Sequence, residues 1–154
     1  MTQRTTSAQV QKVERFRALH GGGRILVLPN IWDPGGARMM EWLGYPAVAT
    51  ASASVAYSLG YDDCQQITFE AMLDVVGRVA AAVDVPVTAD MEWGYAEQPQ
   101  DVAENMRRIL RAGVVGINLE DSIREGEVLS FNLFTRDMIT TDEIKQFICK
   151  TPMR

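Results

Sequence analysis

Four short apolar runs, Ile25-Leu26-Val27-Leu28, Ala47-Val48-Ala49-Thr50, Val85-Pro86-Val87-Thr88-Ala89 and Val114-Val115-Gly116-Ile117-Asn118-Leu119, alternate along the chain with longer amphipathic stretches. Short continuous apolar runs of this kind are strands buried on both faces, and helices fill the stretches between them. Strict alternation of strand and helix gives a parallel sheet with right-handed crossovers and helices packed outside it. The expected fold class is therefore α/β, built from four β/α units. Chemistry in such folds gathers beyond the carboxyl ends of the strands.

The helix signals are local and specific. Ser7 caps a first helix whose apolar face is Val10, Val13, Phe16 and Leu19, ending at His20 before Gly21-Gly22-Gly23. The triple glycine precedes its strand, so it is a linker and not a dinucleotide fingerprint. His20, the only histidine, reads as a dipole partner in a last turn. Asp33 is placed to cap a helix that Pro34 opens and that carries Ala37, Met40, Trp42 and Leu43. Ile67 and Met72 bracket Thr68 as a hydrophobic staple for a helix through Val75, Val76, Val79 and Val83. Pro99 and Asp101 open another, with Val102, Met106, Ile109 and Leu110 inward and Gly113 closing it.

The third strand run ends in Asp90-Met91-Glu92-Trp93-Gly94-Tyr95. On a continuing strand the two carboxylates would share a face, and no basic residue lies between them. Such a pair repels unless something positive sits there. A hard cation answers this, and with so few ligands it is Mg2+ that keeps its waters; the alternative is a solvated loop with unpaired acids. Three other strand ends meet the same rim: Asn30 to Asp33, Thr50 to Ser54, and Glu120-Asp121. Ala51-Ser52-Ala53-Ser54 is small enough for a ligand to touch backbone N–H groups. Tyr57 to Asp63 reads as a mobile loop carrying an acidic pair, Asp62 and Asp63.

With 154 residues the chain fits one domain with a real core. A net charge of -5 and the lack of a basic stripe exclude nucleic acid and anionic membrane as main partners. The polar N-terminus and the absence of a long apolar run imply a cytoplasmic protein. Cys64 and Cys149 have no metal-ligand spacing and read as unbridged thiols.

Five segments in order resemble the isocitrate lyase and phosphoenolpyruvate mutase superfamily: Leu28-Pro29-Asn30-Ile31-Trp32-Asp33, Ala49-Thr50-Ala51-Ser52-Ala53, Ser58-Leu59-Gly60-Tyr61-Asp62-Asp63, Val85 through Tyr95, and Gly116-Ile117-Asn118-Leu119-Glu120-Asp121. The resemblance implies a (β/α)8-barrel fold, of which residues 1–121 would supply about four units, with residues 122–154 a divergent tail containing a short helix. It implies a Mg2+-dependent lyase or mutase that makes or breaks a C–C or P–C bond beside a 2-oxo acid through an enolate. By that resemblance Asp90 holds Mg2+ and Glu92 and Glu120 bind its hydration shell, with Asp33 near the metal. Asp63 and Glu120 are the catalytic candidates, Asp63 on a gating loop. Trp32, Thr50, Ala51, Ser52 and Ala53 are the substrate-binding candidates, the last three gripping a carboxylate. Ala51 stands where many members have a serine, and the catalytic-cysteine loop of the true isocitrate and methylisocitrate lyases has no counterpart here.

The tail reads as replacement sequence, with an alternating run Leu129-Ser130-Phe131-Asn132-Leu133 and a helix from Thr140 bearing Ile144, Phe147 and Ile148. A four-unit half barrel has two bare edges and an uncovered apolar inner face. The expected partners are thus a small carboxylic or 2-oxo acid and either a second copy or another half barrel. The second functional expectation is a catalytically incomplete scaffold or interaction module.

Overall fold

The computed structural model describes residues 7–21, 23–120, 123–125 and 128–130, the last two segments as backbone only. The elements are α1 (Ser7–His20), β1 (Asn30–Ile31), α2 (Pro34–Trp42), β2 (Val48–Thr50), α3 (Ser52–Ser58), α4 (Phe69–Ala82), β3 (Val87–Asp90), α5 (Pro99–Arg111), β4 (Gly116–Asn118), β5 (Ile123–Glu125) and β6 (Val128–Ser130). β1 to β4 form one parallel sheet in chain order, and β5 and β6 pair antiparallel by themselves. The α/β alternation and the parallel sheet are as the sequence predicts. The tail helix from Thr140, Asp121 and Cys149 lie outside the described residues.

Register divides the sheet into two faces. Asn30 lies opposite Ala49, Ala49 opposite Thr88, Thr88 opposite Gly116, and Asp90 opposite Asn118. Opposed residues share a face, so this inner row is small and polar. The other row supplies Ile31, Val48, Val87 and Ala89 to a core with Met72, Val76 and Val79 of α4 and Met106 and Ile109 of α5.

The inner face therefore differs from the bare apolar surface expected. Its residues need no apolar cover, and Phe16 of α1 lies on it, 3% exposed. A Cβ at Gly116 would come within 2.9 Å of both Phe16 Cε1 and Thr88 Oγ1. Gln9 Nε2 anchors α1 by donating to the carbonyls of Leu110 and Val114 at 2.7 and 3.0 Å, and Lys12 Nζ donates to Val83 O at 2.8 Å.

Two local expectations change. Residues 25–28 form no strand, and Ile25 and Val27 are 93% and 58% exposed. A strand exists only where a neighbour completes its ladder, and β2 reaches only Asn30 and Ile31. On α2 Ala37 is buried, but Trp42 and Leu43 are 83% and 55% exposed. Ala37 and Met40 face the core, and Glu41 beside them fixes the rotation of α2, its Oε1 accepting the N–H groups of Asp84 and Val85 at 2.7 and 2.9 Å. On α1 Phe16 is buried but Val10 is 44% exposed, and the Ser7 side chain lies outside what is described; the α4 and α5 signals hold. Thr68 Oγ1 accepts from Ala71 N at 3.2 Å with Ile67 and Met72 buried beside it, and Val102, Met106 and Ile109 are the buried face of α5.

Candidate functional site

β3 ends at Asp90, and the site is built from what holds that carboxylate. Thr50 Oγ1, at the end of β2 and buried, accepts the Asp90 N–H at 3.0 Å, which ties the two strand ends together. Asp90 Oδ2 accepts both the N–H and the hydroxyl of Ser52, at 3.1 and 2.7 Å. Its Oδ1 accepts the Glu92 N–H at 3.3 Å. Ser52 is the first residue of α3, so the segment expected to touch a ligand is a short helix whose first residue orients Asp90.

Glu92 does not continue the strand. Its backbone turns left-handed at φ 48, which breaks the alternation that would have set it on one face with Asp90. The side chain is 3% exposed. Oε1 accepts the Tyr95 hydroxyl at 2.7 Å and Oε2 the Gln65 N–H at 2.6 Å. The Glu92 carbonyl accepts the Glu120 N–H at 2.7 Å, which draws the end of β4 to the same place. Gly94 makes the return possible: at φ 91, with a Cβ position 2.5 Å from Val102 Cγ1, no other residue fits. Asn105 Nδ2 of α5 then holds the carbonyls of Gly94 and Tyr95 at 3.0 and 3.2 Å.

Burial raises the pKa of Glu92; the Tyr95 hydroxyl and the Gln65 N–H oppose that shift, and the charges of Asp63 and Asp90 add to it. Burial also pushes the Tyr95 phenol far above its ordinary value, and the Glu92 carboxylate adds to this. Tyr95 is therefore a hydrogen-bond donor here and not an acid.

Thr50, Ser52, Asp90 and Glu92 are thus joined by direct hydrogen bonds, with Glu120 attached through its backbone. Asp63 Oδ1 accepts the Cys64 N–H at 2.8 Å, and Asp63 reaches Glu92 through its charge. Asp33 caps α2, its Oδ1 accepting the Gly36 N–H at 2.8 Å. Trp32 is 46% exposed at the end of β1. The Ala51 N–H donates to Ile31 O at 3.2 Å, and Ala53 is half-buried in the first turn of α3. Tyr95, Gln65 and Asn105 are site residues that sequence reasoning missed. Tyr95 lay within the quoted stretch, but only the left-handed turn brings its hydroxyl back onto Glu92.

Among the described residues no group of three or more His, Cys, Asp or Glu side chains could hold a metal ion. The donor chemistry nonetheless suits one particular kind of ion. The donors are all oxygen, and the charges of Asp63 and Asp90 add to the cost of ionising the buried Glu92. Mg2+ that retains several waters and takes one or two carboxylates fits that set.

The family model described as phosphoenolpyruvate phosphomutase matches residues 16–146, running past residue 121. A solved structure from Burkholderia cenocepacia J2315 titled as a phosphonomutase is 46% identical, with a TM-score of 0.70 over 73% of this chain and 45% of that one. The phosphoenolpyruvate phosphomutase of Streptomyces platensis subsp. rosaceus is 27% identical, with a TM-score of 0.68 over 86% of this chain and 45% of that one. An oxaloacetate decarboxylase of Paraburkholderia xenovorans is 29% identical over 71% of this chain and 36% of its own. This chain thus spans less than half the length of these relatives. No helix among the described residues is long and apolar enough to cross a membrane. With the family model matched over most of its length, the chain belongs to the phosphoenolpyruvate phosphomutase family, within the isocitrate lyase and phosphoenolpyruvate mutase superfamily.

Proposed function

We propose that the rim around Asp90 and Glu92 serves a Mg2+-dependent lyase or mutase acting beside the carbonyl of a small 2-oxo or dicarboxylic acid. The observation that carries this reading is the buried Glu92 carboxylate. It is held beside Asp90 and has no basic side chain among its hydrogen-bond partners. Asp90 would hold the ion, and Glu92 and Glu120 would bind the waters it keeps. When bound, Mg2+ supplies positive charge next to the oxygen that becomes anionic as a C–C or P–C bond beside a 2-oxo group breaks or forms.

The chain's own residues do the rest. Ser52 and Thr50 fix the orientation of Asp90, and Tyr95 and Gln65 fix that of Glu92. The Ala51 N–H is bonded to Ile31 O and the Ser52 N–H to Asp90, so the substrate carboxylate falls to the Ala53 N–H in the first turn of α3, with Trp32 at the outer side. Tyr57 and Ser58, expected in a loop, are the last two residues of α3, so Asp63 rides on the shorter loop of residues 59–63, whose closure excludes water. Asp33 contributes by capping α2. The oxaloacetate decarboxylase relative supports a 2-oxo acid as substrate class. A homo-oligomer or a second half barrel would complete the rim, and the protein would work in the cytoplasm.

The exposed apolar residues Ile25, Val27 and Trp42 favour a second reading, in which this chain is a scaffold that lacks part of its site. Incubation with Mg2+ and a panel of 2-oxo and 2-hydroxy dicarboxylic acids, followed by proton NMR, separates the two. Bond cleavage that is lost in Asp90→Asn supports the enzyme. No product from any member of the panel supports the scaffold.

A further inference from the structure

We infer that the side-chain amide of Gln65 is a binding group for the substrate, donating a hydrogen bond to an oxygen of the acid held at the Asp90 and Glu92 rim. Its Nε2 is buried, and among the described residues it is the one buried side-chain nitrogen or oxygen without a hydrogen-bond partner. The neighbouring Gln66 makes the contrast. Although exposed to solvent, its amide finds the Cys64 carbonyl at 3.2 Å. A buried donor without an acceptor has given up its hydration for no bond, so the resting fold keeps the Gln65 amide at a loss of stability.

The backbone places that amide at the rim. The Gln65 N–H donates to Glu92 Oε2 at 2.6 Å, and Ile67 just beyond it is buried in the core at 4% exposure. Gln65 is thus fixed between the buried carboxylate and the core, and a glutamine side chain is too short to carry its amide away from that neighbourhood. Cys64 and Gln65 are consecutive left-handed residues, at φ 71 and φ 53, a conformation that is unfavourable for non-glycine residues and that collects where ligands are clamped. Strained backbone and an unsatisfied donor therefore fall on one residue.

The surrounding charges say what the amide receives. Hydrogen bonds to Asp63, Asp90 and Glu92 come from backbone N–H groups and from the hydroxyls of Ser52 and Tyr95, none from a basic side chain. A lysine or arginine at this position would pair with those carboxylates and compete with a cation. A neutral amide does neither and keeps its N–H groups for an acceptor. The acceptor that arrives with the ion is an oxygen of the acid, where a fixed donor also steadies charge that builds during the reaction.

This rests on the reading of the rim as a site for Mg2+ and a 2-oxo acid, and titration calorimetry of the full chain with Mg2+ and oxalate separates the two. Oxalate that does not bind the parent fails that reading, and the inference with it, before any variant is made. Where the parent binds, Gln65→Met decides the inference, since it keeps the side-chain length and the backbone N–H to Glu92 and removes the amide. Its oxalate dissociation constant should rise by at least about tenfold, with Mg2+ alone binding as in the parent and the ligand-free melting midpoint level or raised. An unchanged oxalate constant overturns the inference and leaves the reading standing. A lowered ligand-free midpoint overturns it as well, because the resting fold then satisfies the amide.

Discussion

The Gln65 N–H donates to Glu92 Oε2 at 2.6 Å, and both residues lie in left-handed backbone, at φ 53 and φ 48. Cys64 and Tyr95, their neighbours in the site, are left-handed as well, at φ 71 and φ 59. Non-glycine residues in that region cost on the order of 1–3 kcal/mol each and persist where surrounding contacts over-determine them. The strain thus sits on both sides of a single carboxylate, which fastens the segment following the loop of residues 59–63 to the end of β3.

Glu92 makes stability depend on pH in a direction opposite to that of most carboxylates. Its pKa is raised above the usual 4.5 by burial, so between the two values the folded state keeps a proton that the unfolded state has released. Its contribution is fully present below 4.5 and is lost as pH rises through the folded value. Calorimetric melts of metal-free protein should show the parent losing stability relative to Glu92→Gln as pH is raised from the acid side to neutrality. A difference that stays constant with pH would contradict this cause.

Ser52→Ala removes the hydroxyl that donates to Asp90 at 2.7 Å while leaving the helix N–H in place. Losing a buried bond to a charged acceptor costs about 1–3 kcal/mol. The denaturant midpoint should fall accordingly with an unchanged slope. No measurable loss would mean that Ser52 does not hold Asp90.

Phe16 and Gly116 should behave as one coupled pair. Gly116→Ala places a methyl within 2.9 Å of the Phe16 ring, and Phe16→Ala empties a buried site at a cost of about 3–5 kcal/mol. The double variant should lose less than the sum of the two, by 0.5 kcal/mol or more, as is usual for contacting residues, about the limit of resolution of such a cycle. Strict additivity would remove Phe16 from the inner face.

Much of this fold was legible because its signals are local. Asp33 before Pro34, Thr68 between Ile67 and Met72, and the spacing of Val102, Met106 and Ile109 each specify a helix through neighbours in sequence. The order of the strand-end acids located the rim. Residues 25–28 misled because a continuous apolar run records a preference for burial and says nothing of whether a partner strand is present. Trp42 and Leu43 misled because periodicity gives the width of an apolar stripe but not which way it faces. The Tyr95 and Gln65 bonds to Glu92 depend on left-handed turns at non-glycine residues, which sequence does not advertise.

If Asp90 and Glu92 assemble a site for Mg2+ and an enolate-like ligand, a thermal melt with and without Mg2+ plus oxalate reads it out. Oxalate resembles a planar enolate dianion. A ligand that binds only the folded state stabilises it by about 2.7 kcal/mol at a hundredfold excess over its dissociation constant. The midpoint of the parent should rise, and the rise should disappear in Asp90→Ala. A cooperative melt unmoved by Mg2+ and oxalate, or a shift that survives in Asp90→Ala, would contradict it.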